Sequence, residues 1–228
     1  NKKIMTIYDD FNCEVIVKDD KSPLTEADLA ANKLIIDGLS KFSYSLPVVS
    51  EENKETQKSA NNNVAFWLID PLDGTKEFIK KNGEFTCNLA LIEQNKVTFG
   101  LVGIPAKNLV YEGGKEFGSR CHFEDGNFRE IMCSQKKGKY RVVASKSHLN
   151  LETESFIEKL DDEVDLIQAG SSLKFIKVAE GKADLYPRMA PTSEWDTAAA
   201  HAIVEGAGGT VKDLNGNSLV YGKEKILN

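Results

Sequence analysis

The chain is short of cysteine, with four in 228 residues (Cys13, Cys87, Cys121 and Cys133), and no two of them form a CxxC pair. That excludes a zinc knuckle and a dithiol redox motif, and it leaves reduced thiols in a cytoplasmic compartment as the expected state. Histidine is scarcer still: His122, His148 and His201 are too scattered to make a metal-spacing pair. No run approaches the roughly 18 uncharged apolar residues that a membrane span needs. Val97 to Ala106 is among the longest apolar stretches, and glycines break it. Positive charge is also in deficit, with 29 Lys and Arg against 35 Asp and Glu for a formal net charge of −6. A surface built to coat a nucleic acid polymer or an anionic membrane needs the opposite sign. Any anionic ligand must therefore be held locally, by a pocket or a metal.

What the chain does have is enough apolar material for a core, 41% of its residues. Ser22-Pro23 followed by Thr25-Glu26-Ala27-Asp28 reads as a helix start, with Thr25 as the cap and Asp28 in the capping-box position. Apolar or small residues at Ala31, Leu34, Ile35, Gly38, Leu39 and Phe42 then predict a helix with one buried stripe. Leu46 to Val49 is a short apolar run ending in Ser50-Glu51-Glu52, and a polar loop follows to Asn63. Val64 to Ile69 predicts a buried strand that stops at Asp70-Pro71. Thr86 to Ile104 reads as two β-rich runs joined by Glu93-Gln94-Asn95-Lys96, with further hairpins signalled at Gly113-Gly114 and Asp125-Gly126. After Gly138 strands alternate with helices: strand Tyr140 to Ala144, helix Leu151 to Leu160, strand Val164 to Gln168, helix Ser172 to Glu180, strand Ala183 to Tyr186, helix Glu194 to Glu205. The expected fold class is α/β: an α+β part with an antiparallel sheet over residues 1–138, then an α/β part over 139–228. A cleft between two such halves is a favoured ligand site.

The most informative segment is Asp70-Pro71-Leu72-Asp73-Gly74-Thr75. Pro71 constrains the turn between the two carboxylates, and Gly74 lets the backbone approach a ligand closely. Free N–H groups after the turn, with the Thr75 hydroxyl, can hold a phosphate oxygen or a water. Taken singly, each element has a plainer explanation. The turn can be an ordinary helix cap, Glu51 a solvated charge, and Asp196 a first-turn residue favoured by its helix dipole. Taken as a set, Glu51, Asp70, Asp73 and Asp196 make an all-oxygen site that suits a hard cation such as Mg²⁺ better than Zn²⁺.

Ser50-Glu51-Glu52, Trp67-Leu68-Ile69-Asp70-Pro71-Leu72-Asp73-Gly74-Thr75 and Glu194-Trp195-Asp196-Thr197-Ala198-Ala199 occur in this order. In them the chain resembles the inositol monophosphatase superfamily of metal-dependent, lithium-sensitive phosphatases. Ser22 to Asp28, Lys76-Glu77-Phe78-Ile79-Lys80, Asn82 to Thr86, Gly170 to Phe175 and Leu185-Tyr186-Pro187-Arg188 extend the resemblance to the CysQ-type 3'(2'),5'-bisphosphate nucleotidases, over nearly the whole chain. The resemblance implies a layered αβαβα sandwich. It implies Mg²⁺ ligands at Glu51, Asp70, Asp73 and Asp196 through side chains and at Leu72 through its carbonyl. Asp28 and Thr75 match the pair that orients and deprotonates the attacking water, with Glu51 completing the catalytic set. Asp73, Gly74, Thr75 and Asp196 would also border the substrate, and Ser145, His148, Gly170 and Lys174 match nucleotide contacts. Ser50 stands where many relatives have glycine, and relatives carry more first helix before Asn1 and a further strand after Asn228.

For function, the resemblance implies hydrolysis of adenosine 3',5'-bisphosphate to AMP and phosphate, with its sulfated relative as a further substrate, in sulfur assimilation. A cytoplasmic monomer or homodimer is expected, and a peripheral inner-membrane association is compatible with it. The rival enzyme reading is a phosphatase of inositol or another sugar phosphate on the same fold. A reading from another class is a non-catalytic nucleotide-binding regulator, against which the complete acidic set speaks.

Overall fold

A computed structural model of the chain describes residues 1–10, 15–18, 23–42, 46–57, 65–135, 138–145, 150–160 and 163–228. Cys13, Ser22 and His148 lie outside them. The elements run α1 (Lys2–Tyr8), β1 (Val15–Val17), β2 (Pro23–Thr25), α2 (Glu26–Leu39), β3 (Val48–Ser50), α3 (Lys54–Gln57), β4 (Ala65–Asp73), α4 (Thr75–Ile79), β5 (Thr86–Glu93), β6 (Lys96–Ile104), β7 (Leu109–Gly114), β8 (Gly118–His122), β9 (Phe128–Glu130), β10 (Tyr140–Ala144), α5 (Leu151–Glu158), β11 (Val164–Gln168), α6 (Leu173–Ala179) and α7 (Glu194–Gly206). Seven strands, β3 to β9, form one sheet in sequence order. Only the β3–β4 pair is parallel. β10 and β11 form a small parallel sheet of their own.

Side chains on alternate faces of a strand force this sheet into a middle layer. A Cβ on Gly100 of β6 would collide with the Ala199 carbonyl of α7, whereas one on Gly103 would meet Asn1 at the start of α1. Three residues apart, the two glycines look out of opposite faces. Helix α7 therefore covers one face and α1 with α2 the other, and α6 lies between α7 and β10. The absent side chain at Gly100 and the run Ala198, Ala199, Ala200 and Ala202 let the α7 backbone lie almost on the sheet. The larger core contains Phe66, Leu68, Ile92, Val102 and Ile104 from the sheet with Ile176, Ile203 and Tyr221, so residues on both sides of position 138 contribute to it. A smaller core gathers Ile4, Ile7, Ala27, Ala31, Leu72, Phe78 and Phe85 under the Asp70–Thr75 segment. No helix among the described residues is long and apolar enough to cross a membrane.

Most expected elements are present, with three differences. The strand expected to stop at Asp70-Pro71 continues to Asp73, because proline there sits at a bulge where the ladder is already interrupted. The strand expected over Ala183 to Tyr186 is a single bridge from Leu185 to Val142. The buried stripe of α2 is only partly covered, with Leu34 60% and Phe42 66% exposed, because α2 buries chiefly its small residues Ala27 and Ala31. The Gln94-Asn95 hairpin is as read: both residues take positive φ, 50° and 63°, as a type I′ turn requires.

One ion pair holds β10 to the segment that leads into the cleft. Arg141 donates to Asp184 from Nε (3.0 Å) and from one terminal nitrogen (2.7 Å), and that nitrogen also reaches Ser134 Oγ (2.7 Å). The paired guanidinium holds the Asp184 carboxyl well below the usual carboxylate range. The Asp184 side chain is 6% exposed, so removing the Arg141 side chain leaves its buried charge only the Ser134 hydroxyl and a backbone N–H. Arg141→Ala is expected to cost about 3 kcal/mol of unfolding free energy. Urea denaturation measures it, and a loss below about 1 kcal/mol would reduce the pair to a surface contact.

Candidate active site

Three residues apart, Asp70 and Asp73 would face opposite sides of a regular strand. The register between β4 and β5 slips by one residue, pairing Asp70 with Asn88 but Asp73 with Thr86. One extra residue restores the parity, and both carboxylates come to the same side. Asp70 Oδ1 accepts from the Leu72 N–H (3.1 Å), which closes the turn around Pro71. Gly74 follows at φ 90°, where a side chain would also press on Ser171 Cβ at 3.1 Å. Leu72, Phe78 and Phe85 anchor the turn from below, and the Phe78 and Phe85 rings lie 5.1 Å apart.

Glu51 sits just past β3, its N–H bonded to the Ile69 carbonyl (3.1 Å), so parallel pairing delivers it beside Asp70. Asp196 is the third residue of α7, its Oδ2 accepting from the Ser193 N–H (2.7 Å) in a capping box. Glu194, 1% exposed, takes the N–H groups of Gly222 (2.7 Å) and Lys223 (3.0 Å) and fixes that helix start. Asp28 caps α2 through Oδ2, which accepts from Thr25 N (2.7 Å) and Oγ1 (2.6 Å). Its Oδ1 accepts from Thr75 Oγ1 at 3.4 Å, and the same hydroxyl lies 3.3 Å from the Leu72 carbonyl.

The electrostatics show that these groups share one field. Burial, then Glu51, Asp73 and Asp196, push the Asp70 carboxyl well above its ordinary range. Burial and Asp73 push Asp196 up to about 7. Burial raises Glu51 against the pull of Lys18, whose Nζ bonds Glu51 (3.1 Å) and Glu52 (2.7 Å). Burial raises Asp28 to about 6. Among the described residues no ion pair neutralises Asp70, Asp73 or Asp196. An all-oxygen donor set with uncompensated buried charge fits a hard divalent cation. Among the same residues, however, no three His, Cys, Asp or Glu side chains are grouped as around a metal ion. Their oxygens are turned to Lys18, Leu72, Ser172 and Ser193 instead.

A cleft of about 650 Å³ opens from Asp73, Gly74 and Asp196 and passes Ser145, Gly170 and Lys174, all expected site residues. Lys174 is 6% exposed; its Nζ donates to the Ser171 carbonyl (2.6 Å) and lies 5.5 Å from the Tyr186 ring centre, and burial lowers its pKa. The cleft also has Arg188, whose Nε is buried without a partner. Arg188 closes the Leu185-Tyr186-Pro187-Arg188 segment, in which nothing in one dimension marks it as a site residue. Its signal is an unspent donor, visible only in three dimensions. His148 lies outside the described residues.

Residues 2–228 match the model of the inositol monophosphatase family. The 3'(2'),5'-bisphosphate nucleotidase CysQ of Escherichia coli (strain K12) is 42% identical over 229 residues, covering 99% of this chain and 91% of the relative. The nucleotidase of the same name from Haemophilus influenzae is 30% identical, over 93% of this chain and 80% of the relative. The crystal structure of CysQ from Bacteroides thetaiotaomicron, a bacterial member of the inositol monophosphatase family, superposes with a TM-score of 0.87 at 39% identity, covering 100% of this chain and 89% of the other.

The raised carboxyl of Asp70 has a testable sign. A carboxyl raised in the folded state favours folding at low pH and loses that contribution as pH rises through its folded value. In excess chelator at pH 8, Asp70→Asn should therefore melt higher than the unaltered protein, and the gain should vanish below about pH 4, where the unfolded carboxyl is also protonated. Calorimetry decides it: a lower melting temperature at pH 8 would show that Asp70 is a structural group.

Proposed function

The chain belongs to the inositol monophosphatase family, and on that premise we propose that it is a Mg²⁺-dependent nucleotidase that hydrolyses adenosine 3',5'-bisphosphate to AMP and phosphate. The observation that carries this reading is the polarity of the cleft. Its lining brings the carboxylates Asp73 and Asp196 together with the buried cation Lys174 and the half-buried Arg188. A substrate with two phosphates suits both sets: one group at the carboxylates to be attacked, the other paired with the cations. An inositol monophosphate has no second phosphate to offer the cations. The nucleotidase names of the relatives support the same choice.

In this reading Glu51, Asp70, Asp73 and Asp196, with the Leu72 carbonyl, would hold Mg²⁺. The metal supplies Lewis-acid stabilisation of the transferring phosphoryl group and of the leaving oxygen. The chain's own part is the proton. Thr75 Oγ1 donates its hydrogen to Asp28 Oδ1, which leaves an oxygen lone pair to accept from an attacking water. As the water oxygen bonds to phosphorus and the ester P–O bond breaks, the water proton passes to Thr75 and the Thr75 proton to Asp28, while the departing ribose oxygen takes a proton from solvent water to become the 3'-hydroxyl of AMP. With its pKa near 6, Asp28 is ionised at neutral pH and basic enough to receive it. Gly74 and Thr75 border the reacting phosphate, while Gly170 and Ser145 border the nucleotide beside Lys174. The sulfated nucleotide, differing only at its 5' end, is a second substrate in the same register. Residues 1–138 supply Asp73 and Gly74 to the cleft, and residues 139–228 supply Asp196, Lys174 and Arg188. We place the enzyme in the cytoplasm, as a monomer or homodimer.

Phosphate release should be at least tenfold faster from adenosine 3',5'-bisphosphate than from inositol 1-phosphate, should cease in excess chelator and should return with Mg²⁺. Preference for inositol 1-phosphate would replace this reading with the sugar-phosphatase one. Lys174→Ala and Arg188→Ala should each raise KM for the nucleotide by about one to two powers of ten with kcat nearly unchanged, as loss of a charged hydrogen bond shared by ground and transition states does. Inositol 1-phosphate turnover should be nearly indifferent to both. A matching fall in kcat on both substrates would move the cations to the reacting phosphate.

A further inference from the structure

We propose that Asn88 and Ser172 are positioning residues that aim Asp73, with Asn88 acting through the direction of the Ser172 hydroxyl. Asp73 Oδ2 is the meeting point of three donors: Ser172 N (2.7 Å), Ser172 Oγ (3.0 Å) and Thr86 Oγ1 (3.4 Å). With Oδ2 committed, Oδ1 is the oxygen left for a ligand, and no hydrogen bond among the described residues reaches it. A hydroxyl has one hydrogen to give. The Asn88 amide donates to Ser172 Oγ at 3.0 Å, so the hydroxyl cannot spend its hydrogen on Asn88. It must turn to Asp73 Oδ2, or to the Asp196 carbonyl at 3.3 Å. Either way the hydrogen goes to one of the two aspartates.

Asn88 itself is 1% exposed, and its Oδ1 is buried with no partner. A buried amide that leaves its acceptor unsatisfied is held there by its one donated bond. Its place follows from the sheet: Asn88 on β5 pairs with Asp70, at the last regular pair before the bulge, and Thr86 pairs with Asp73 beyond it. Thr86 Oγ1 also lies 2.8 Å from Ser171 Oγ. The β5 strand thus grips the Gly170–Ser172 turn by two side chains and clamps that turn onto Asp73. This is the point where the two halves of the cleft are set relative to each other.

The proposal rests on Asp73 being a metal ligand, so Asp73→Asn runs beside the other variants. Two readings are taken: the melting shift produced by Mg²⁺ without substrate, and kcat and KM for adenosine 3',5'-bisphosphate at saturating Mg²⁺. Ser172→Ala and Asn88→Ala should each raise the Mg²⁺ concentration for half the melting shift by about tenfold, the loss of one hydrogen bond to a charged group. They should lower kcat and leave KM for the nucleotide little changed. Because Asn88 acts through Ser172, the double variant should be no worse than Ser172→Ala alone. Ser172→Thr, which keeps the hydroxyl, should restore the Mg²⁺ response. Asn88→Asp keeps the size but takes the Ser172 hydrogen instead of donating, and it should be at least as damaging as Asn88→Ala. Additive single effects, an effect on KM alone, or a normal Mg²⁺ response in Asn88→Asp would overturn the proposal. If Asp73→Asn itself keeps its Mg²⁺ response and turnover, the metal assignment fails and the positioning role with it. If only Asp73→Asn loses them, the assignment stands and the positioning role is wrong.

Discussion

Repulsion among carboxylates gathered at the buried end of β4 is the constraint to which the rest of the structure answers. Asp70 is 1% exposed and feels Glu51, Asp73 and Asp196, and every one of these charges costs folding free energy unless something positive or proton-donating faces it. The fold meets the cost with hydrogen-bond donors: a backbone N–H for Asp70, another for Asp196, three donors for Asp73, and an ammonium for Glu51. These donors hold the chain folded without cancelling the field, which leaves the site attractive to a divalent cation. The small aromatic and aliphatic core beneath the turn keeps the loop from relaxing away from its own charge.

A second consequence is the division of labour along the cleft. The carboxylates stand at strand ends and a helix start: Glu51 just past β3, Asp73 at the end of β4, and Asp196 in the first turn of α7, where anionic side chains are favoured. Lys174, on α6, is buried against the Tyr186 ring and the Ser171 carbonyl, and Arg188 stands half-buried in the segment after the Leu185 bridge. Burial lowers the pKa of Lys174, because its ammonium has lost the stabilisation that water provides. The Arg141–Asp184 pair anchors the strand from which that segment departs.

Local features were legible in the sequence. The capping box at Thr25 and Asp28, the two-residue hairpin at Gln94-Asn95 and the α7 start at Glu194 depend on neighbouring residues, and they appear as read. The carboxylates Glu51, Asp70, Asp73 and Asp196 were legible through motif resemblance, and the structure puts them in one field. What the pattern could not reveal depends on long-range pairing. The continuation of β4 through Pro71 follows from its register against β5, and the loss of the strand at Ala183 follows from having only Val142 to pair with. Arg188 and the Asn88–Ser172 link carry no periodic signal, because their meaning lies in a donor without a partner and in a bond across 84 positions of chain. Neither could the motif show that, among the described residues, no three of the acidic side chains converge on one point, since rotamers are chosen by neighbours such as Lys18 and Ser172.

The near-contact of α7 with the sheet sets an order of events during synthesis. A ribosome completes β4 to β7 early, so the sheet face with Gly100, Val102 and Ile104 exists as nascent chain well before its cover. Helix α7 begins about 80 residues after β7 ends, a delay of roughly 4 to 16 seconds at typical translation rates. Through that interval the sheet face that α7 will cover is exposed apolar surface. Asp196 arrives on the same helix, so the polypeptide acquires the last of its clustered carboxylates only in the step that closes its core.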